Sequence, residues 1–335
     1  MMRIVNISTV TPVYAGQNYL DNLAKELAKI RDEWASQGCP FCLAESIFVN
    51  DDTVDQSEKV LGHLTQQYPW IKVVNQSKNF GQHPATIAGI LHSSGEWIIT
   101  IDEDLQHEPR FFTRMIELAT STGSDIIYAK PEEPVHQSIL RDWGSCWFKK
   151  LMKVLTNNQN IEYFNSYRLI RGSIGRAAAS VCSHETYLDI ALSWFTNRVK
   201  PISLPLKDKR FIESGRSGYN LFKLIGHSRR MLVSSQTNLL RIAVMIGVMS
   251  LLISMIMGVY VFLQKLIYPD ASLVQGWTSI FLVVLFFGGL ISFMLGVILE
   301  YLTGITLHSQ GKPVFFTIDR SSDLPIARYF KEKKL

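Results

Sequence analysis

Three acidic residues, Asp102, Glu103 and Asp104, stand in a row directly after the apolar run Trp97–Ile101. Asp102 and Asp104 are two apart, so in extended geometry their carboxylates lie on the same side of the chain. Carboxylates meeting at a strand end repel unless a cation sits between them, and hard oxygen ligands suit Mg2+ or Mn2+. Gln106, two residues further on, can add an amide oxygen. A second acidic cluster, Asn50-Asp51-Asp52-Thr53 and then Asp55, follows another apolar run. An aspartate there can accept from a nucleobase N–H or a ribose hydroxyl, whereas Asp55 or Ser57 also suits a helix cap. We read Asp51 as a ligand and the later residues as caps.

Other chemistries leave no signature. The first strand-like segment is not followed by G-x-G-x-x-G, and the chain has no G-x-x-x-x-G-K-[ST], no G-x-S-x-G and no H-E-x-x-H. These absences argue against a dinucleotide fold, a P-loop, a nucleophile elbow and a zinc protease. Cys39 and Cys42 form a C-x-x-C without a second pair or a nearby histidine, and the four cysteines fit a reducing compartment.

The elements that must position the acidic groups alternate in type. Strand-like runs are expected at Arg3–Val13, Glu45–Asn50, Ile71–Asn75, Glu96–Ile101 and Asp125–Lys130. Helical spacing is expected between them, at Asn18–Trp34, Ser57–Tyr68, Pro84–His92 and Pro109–Thr120. Short apolar strands alternating with amphipathic helices predict an α/β fold with a mostly parallel sheet covered on both faces. Ligands of such sheets bind beyond the carboxyl ends of the strands, where both acidic clusters fall. Val135–Leu155 reads as helical, and Thr156–Pro205 shows no clear pattern.

The second half is a membrane sequence. No charged residue occurs from Ile242 to Leu263 or from Ala271 to Leu299. Each run exceeds the roughly 20 residues that cross a bilayer core as a helix, so two C-terminal transmembrane helices are expected. Arg229, Arg230 and Arg241 flank one side and Lys312, Arg320 and Arg328 the other, which places both termini in the cytoplasm. Between Arg198 and Arg230 nine basic residues face only Asp208 and Glu213, although the whole chain carries just +5. Such a cluster favours a phosphate-rich partner or an anionic membrane surface. Tyr219–Ser235 suits either a helix in the membrane interface or one packed on the sheet domain. Met1–Pro12 lacks the apolar core of a signal peptide. The expected divisions are a catalytic domain over 1–215, an interfacial segment over 216–238, a two-helix anchor over 239–305 and a cytoplasmic tail over 306–335.

Thr11-Pro12-Val13-Tyr14, Val49-Asn50-Asp51-Asp52-Thr53-Val54-Asp55, Ser77-Lys78-Asn79-Phe80-Gly81 and Asp102-Glu103-Asp104-Leu105-Gln106-His107 occur in that order. Together they resemble the family 2 glycosyltransferases that act on polyprenyl phosphates, a group that includes bactoprenol glucosyltransferases and dolichol-phosphate mannose synthases. Tyr167-Arg168-Leu169-Ile170 resembles the group's FRL segment, and Gly215-Arg216-Ser217-Gly218-Tyr219 its GxSKY segment. The resemblance implies a GT-A type nucleotide-sugar-binding domain with catalytic roles for Asp102, Asp104, Arg168 and Arg210. Pro12, Val13, Tyr14, Asp51, Lys78 and Glu103 would hold the nucleotide. Asp102, Asp104 and Gln106 would hold Mg2+ or Mn2+ on the donor diphosphate, and Arg168, Arg210, Ser217 and Lys223 the lipid phosphate. The chain departs from the group's pattern at Asp52, Ser166 and Gly218, where glycine, aspartate and lysine are usual.

The implied reaction is inverting transfer of a hexose from a nucleotide sugar, UDP-glucose foremost, to undecaprenyl phosphate at the cytoplasmic face of the plasma membrane. Other donors (UDP-N-acetylhexosamine, a UDP-aminoarabinose type, GDP-mannose) and a degenerate membrane scaffold are the alternatives. A processive synthase is disfavoured by the absence of Q-x-x-R-W, and no nucleic-acid partner is expected. The resemblance also implies a homo-oligomer, a tetramer.

Overall fold

Seven strands form one sheet in the order β3-β2-β1-β4-β6-β5-β7. The computed structural model describes residues 3–132, 159–184, 186–205, 277–311 and 313–319, with single positions between 249 and 267. The first half alternates β1 (Val5–Val13), α1 (Leu20–Ser36), β2 (Phe41–Asn50), α2 (Ser57–Gln67), β3 (Ile71–Asn75), α3 (Gln82–His92), β4 (Trp97–Thr100), α4 (Phe112–Thr122) and β5 (Ile126–Pro131). Then come β6 (Arg168–Arg171), α5 (Gly172–Val181), α6 (Leu188–Phe195), β7 (Val199–Leu204) and α7 (Trp277–Ser309).

All pairings are parallel except those of β6, which runs antiparallel to both β4 and β5. The mostly parallel α/β sheet expected from the alternation is therefore present. From β1 the chain winds outward through β2 and β3, then returns to add β4 on the other side of β1. The carboxyl ends of β1 and β4 thus flank the point where strand order reverses, and such points open a crevice for a ligand.

Successive strand residues face opposite sides, which divides the core in two. Ile7, Val13, Trp97 and Ile99 point to one face, under Leu20, Leu23, Leu27 and Trp34 of α1 and Phe112 and Met115 of α4. Val10 and Ile98 point to the other, under Ala85 and Ala88 of α3 and Ala178 of α5. Burying each of the larger side chains contributes about 1.5–3 kcal/mol relative to leaving it in water. α3 lies unusually close to the sheet: a Cβ on Gly89 would stand 2.3 Å from Val10 Cγ1. This close approach fixes the height of the α3 N-terminus above the strand ends.

Of the two expected membrane helices, one is present among the described residues. α7 spans Trp277–Ser309, and its segment Phe286–Leu307 is long and apolar enough to cross a bilayer, with none of it buried. The run 242–263 lies almost wholly outside the described residues, as do the helix expected at 135–155 and the interfacial segment at 216–238. α7 continues beyond the expected end of the anchor at residue 305. The chain after it turns back onto the sheet domain, where Ser77 N–H donates to Phe316 O (3.0 Å) and Ile318 N–H to Asn75 O (2.9 Å). Part of the expected tail is therefore a short antiparallel bridge at the carboxyl end of β3, pairing Gln76 with Thr317.

Candidate active site

β4 is four residues long and fully buried, and its end delivers Asp102, Glu103 and Asp104 into the crevice beside β1. The three carboxylates have different surroundings. Glu103 is buried and turns back toward β1, where its carboxylate accepts from Tyr14 N–H (3.0 Å) and Ala15 N–H (3.2 Å). Expected as a nucleotide ligand, it ties the β1–α1 loop across the switch point. Gly16 packs against it so closely that an added Cβ would meet Glu103 Oε2 at 2.6 Å.

Asp102 is held from two sides. Gln82, the first residue of α3, donates Nε2 to Oδ1 at 2.8 Å, and Ser166 donates Oγ to Oδ2 at 2.9 Å. The backbone of Asp102 is fixed as well, because its N–H donates to His107 Nδ1 at 3.1 Å. That bond requires Nδ1 to be deprotonated, so it is Nε2 that carries hydrogen in the neutral ring. The His107 ring stacks on Tyr167 at 4.7 Å, and the Tyr167 hydroxyl donates to Glu108 O at 2.9 Å. Between these anchors Leu105 takes a left-handed φ of 59°, which folds the run into a tight turn. Asp104 is 6% exposed and accepts from the backbone N–H of Gln106 at 3.2 Å.

The second acidic cluster lies across the crevice at the end of β2. Asp51 is buried and accepts from Phe80 N–H (2.7 Å) and Gly81 N–H (2.8 Å). Burial pushes its carboxyl above the ordinary value, against the pull of those two amides. Asp51 therefore shapes the loop that carries Lys78 and starts α3, and Gly81, at φ 96°, makes the sharp entry. Asp52 has φ 54°, a left-handed conformation that costs glycine nothing and that aspartate tolerates, so the departure at this position keeps the turn. The N-cap of α2 is Gln56 rather than Asp55 or Ser57, and Asp55, one residue earlier, accepts from Ser57 N–H and Gln17 N–H. Pro12 and Val13 pair with Val49 and Asn50 at the ends of β1 and β2, and Tyr14 is exposed beside them. Lys78 Nζ lies 5.1 Å from the centre of the Phe80 ring.

Arg168 is expected at the lipid phosphate. It begins β6, is 3% exposed, and its guanidinium pairs in the interior with Asp189 of α6, which also accepts from the Tyr128 hydroxyl at 2.7 Å. In this arrangement Asp189 balances the guanidinium charge, while the buried Arg168 Nε has no hydrogen-bond partner among the described residues. The other expected acceptor residues, Arg210, Ser217 and Lys223, fall outside the described residues.

Gln82 and Ser166 were not singled out in the sequence as partners of Asp102. Gln82 is legible only as the residue after a loop glycine, and Ser166 only as a departure. Among the described residues no three His, Cys, Asp or Glu side chains converge to form a closed metal cage. A pair of carboxylates suits a hard cation that completes its shell with substrate phosphates and water. The donor set at Asp102 and Asp104 fits Mg2+ or Mn2+ in that sense.

The pattern of the family described as "Glycosyl transferase family 2" matches residues 8–175, half of the chain, from within β1 through β6 and including both acidic clusters. The chain belongs to that family. Among its relatives, the prophage bactoprenol glucosyl transferase homolog of Escherichia coli (strain K12) is 25% identical over 311 residues, covering 93% of this chain and 98% of the relative. The undecaprenyl-phosphate 4-deoxy-4-formamido-L-arabinose transferase of Edwardsiella ictaluri (strain 93-146) is 27% identical over 320 residues, covering 92% of each. Among solved structures, glucosyl-3-phosphoglycerate synthase from Mycobacterium tuberculosis in complex with Mn2+, UDP-glucose and phosphoglyceric acid aligns at 12% identity and a TM-score of 0.48, over 70% of this chain and 79% of that one. The family assignment agrees with the resemblance carried by the motifs, and the sheet described above is the GT-A-like α/β fold it implies.

Proposed function

We propose that this glycosyltransferase moves a hexose from a nucleotide sugar, UDP-glucose foremost, onto a polyprenyl phosphate at the cytoplasmic face of a membrane. The observation that carries the reading is the Asp102–Asp104 pair at the switch point, braced by Gln82 and Ser166 and facing the Asp51 loop across the crevice. The named activities of the full-length relatives and the apolar α7 support the lipid acceptor.

The residues divide the work. Asp51 and the turn at Asp52 shape the base end, with Pro12, Val13, Tyr14 and Lys78 around it. Asp102, Asp104 and Gln106 would hold a divalent cation, which when bound supplies Lewis-acid stabilisation of the departing diphosphate. Glu103 fixes the floor of the crevice by holding the Tyr14 and Ala15 amides. The lipid phosphate is already largely ionised near neutral pH, so it attacks the anomeric carbon without strong base assistance. What it needs is cationic surroundings that bring one anion up to another, and the basic cluster at 198–230, with Arg210, Ser217 and Lys223, is our candidate. One displacement without a covalent enzyme intermediate inverts the anomeric centre.

Two membrane spans with both termini cytoplasmic would keep the crevice beside the leaflet that holds the acceptor phosphate. A UDP-aminoarabinose-type donor is the second reading, favoured by the relative whose name carries 4-deoxy-4-formamido-L-arabinose.

The test is incubation of the purified full chain with undecaprenyl phosphate, Mn2+ or Mg2+ and a panel of labelled nucleotide sugars. Labelled lipid of inverted configuration from one uridine donor is expected. Labelling by no donor, or a retained configuration, contradicts the reading.

A further inference from the structure

β3 is the outer strand of the sheet, and beyond its last residue the chain runs into the loop that carries Lys78 and starts α3. The outward backbone groups of an edge strand stay unpaired unless something covers them. Here the segment after α7 covers them at the strand end. Ser77 N–H donates to Phe316 O and Ile318 N–H to Asn75 O, while Gln76 N–H, on the inner side, donates to Asn50 O of β2. Val314 and Phe315 seat the segment by packing, with Val74, against the second core. Pro313 stands four residues past the end of α7, so a short tether joins that helix to the strand end.

This segment holds the Asp51 side of the crevice in place. Residues 77–82 are fixed at three points: at Ser77 by Phe316, at Phe80 and Gly81 by the Asp51 carboxylate, and at Gln82 by its amide on Asp102. Asn75 carries the link sideways. Its backbone oxygen accepts from Ile318, and its side-chain oxygen accepts from Asn50 Nδ2 at 3.0 Å. Asn50 Oδ1 in turn accepts from Thr53 N–H at 3.1 Å, in the turn at Asp52. The loop is not closely packed on every flank: Lys78, Phe80, His83, Tyr187 and Phe316 border a cavity of about 500 Å³. Where packing leaves such space, hydrogen bonds set the position of the chain, and the one at Ser77 comes from the far end of the sequence.

We propose that residues 316–318 are a positioning segment for the nucleotide site. By pairing with Asn75 and Ser77 they hold the Lys78 loop and the Asp52 turn where donor binding requires them, and so couple donor affinity to the chain that follows α7. The proposal rests on the nucleotide-sugar reading above and assigns the segment no contact with substrate. Such coupling is reciprocal: if detaching the segment weakens nucleotide binding by some factor, bound nucleotide strengthens its attachment by the same factor.

Both directions are measured on the full-length protein. Ile318→Pro removes the N–H that Asn75 O accepts, whereas Ile318→Ala keeps it and alters only an exposed side chain. Ile318→Pro is expected to raise the Kd of UDP with Mn2+, and the KM of the sugar donor, about tenfold, the scale of one or two lost backbone hydrogen bonds. The lipid KM should stay within about twofold of wild type, and Ile318→Ala should bind donor as wild type does. In wild type, UDP with Mn2+ is expected to slow amide exchange in the peptide holding residues 314–318, by up to about tenfold. Equal donor binding in Ile318→Pro and wild type overturns the proposal. So does a parallel rise in donor and lipid KM, which marks general damage, or an alanine variant as weak as the proline one. Exchange at 314–318 that UDP leaves unchanged overturns it as well, and this measurement decides if the proline variant does not fold. Wild-type protein that binds UDP while giving those results leaves the general reading standing; wild-type protein that binds no nucleotide overturns both.

Discussion

Ser166 Oγ donates to Asp102 Oδ2 at 2.9 Å, joining the residues before β6 to the end of β4. The resemblance carried by the motifs implies an aspartate at the Ser166 position, in place of which this chain presents a hydroxyl donor. The exchange lowers the negative charge beside Asp102 and fixes the carboxylate with one oxygen pinned by Ser166 and the other by Gln82.

Removing the hydroxyl should loosen a group that must be placed to within a fraction of an ångström. A hydrogen bond to a charged acceptor contributes about 1.5–3 kcal/mol, so Ser166→Ala is expected to lower kcat/KM about tenfold or more. Ser166→Thr, which keeps the hydroxyl, should recover most of it. Steady-state kinetics at saturating metal check this; equal losses in the alanine and threonine variants would assign the effect to packing.

Arg168 supplies a second prediction, because it is buried against Asp189. Breaking a buried ion pair by removing one member costs about 3–5 kcal/mol, since the other charge is left unpaired. Arg168→Met should therefore lower Tm markedly, and Arg168→Met with Asp189→Leu should recover much of the loss. The folded double variant is expected to keep its lipid KM within a few-fold of wild type. A stable double variant with a lipid KM raised tenfold or more would return Arg168 to the acceptor.

Acid stability rests on Glu45, far from the crevice at the other end of the sheet. Burial alone would raise its pKa, but the Lys72 ammonium, the Ser94 N–H and the Ser8 and Ser94 hydroxyls outweigh burial and hold it at about 2. A folded pKa below the ordinary 4.5 contributes stability that is fully present above pH 4.5 and is lost as the pH falls toward 2. At about 1.4 kcal/mol per pH unit this amounts to roughly 3 kcal/mol. Glu45→Gln should be less stable than wild type near neutrality by a similar amount. The gap should close between pH 4.5 and 2, as read by denaturant unfolding at several pH values; a constant gap would contradict the assignment.

Much of the sheet was legible because its strands are apolar runs of parallel type separated by amphipathic helices. Ile71–Asn75 forms β3 as read, while β2 starts earlier than expected, at Phe41, in an apolar stretch that directly follows Pro40. The region from 156 to 205 was opaque for a physical reason. β6 is four residues with an arginine at each end, and the first of these is buried only because Asp189, 21 positions later, neutralises it. No local pattern reveals that pairing. In the site, the Asp102–Asp104 pair was visible from spacing, but the supports were not. Glu103 and Asp51 hold backbone amides that lie 89 and 29 positions away, contacts which only the folded chain creates. The return of Pro313–Asp319 to β3 was hidden in the same way, since its register is set across the whole length of the chain.

The central claim, that Asp102 and Asp104 hold a divalent cation on the donor diphosphate, is tested most directly by calorimetric titration of UDP into the full-length protein with and without Mn2+. Metal-dependent binding is expected in wild type, with chelator abolishing it and Asp104→Ala reducing it by about a hundredfold or more at unchanged Tm, since the variant removes one of two charged ligands. Binding of equal strength with and without metal, or an Asp104→Ala variant that binds as wild type does, would contradict the account.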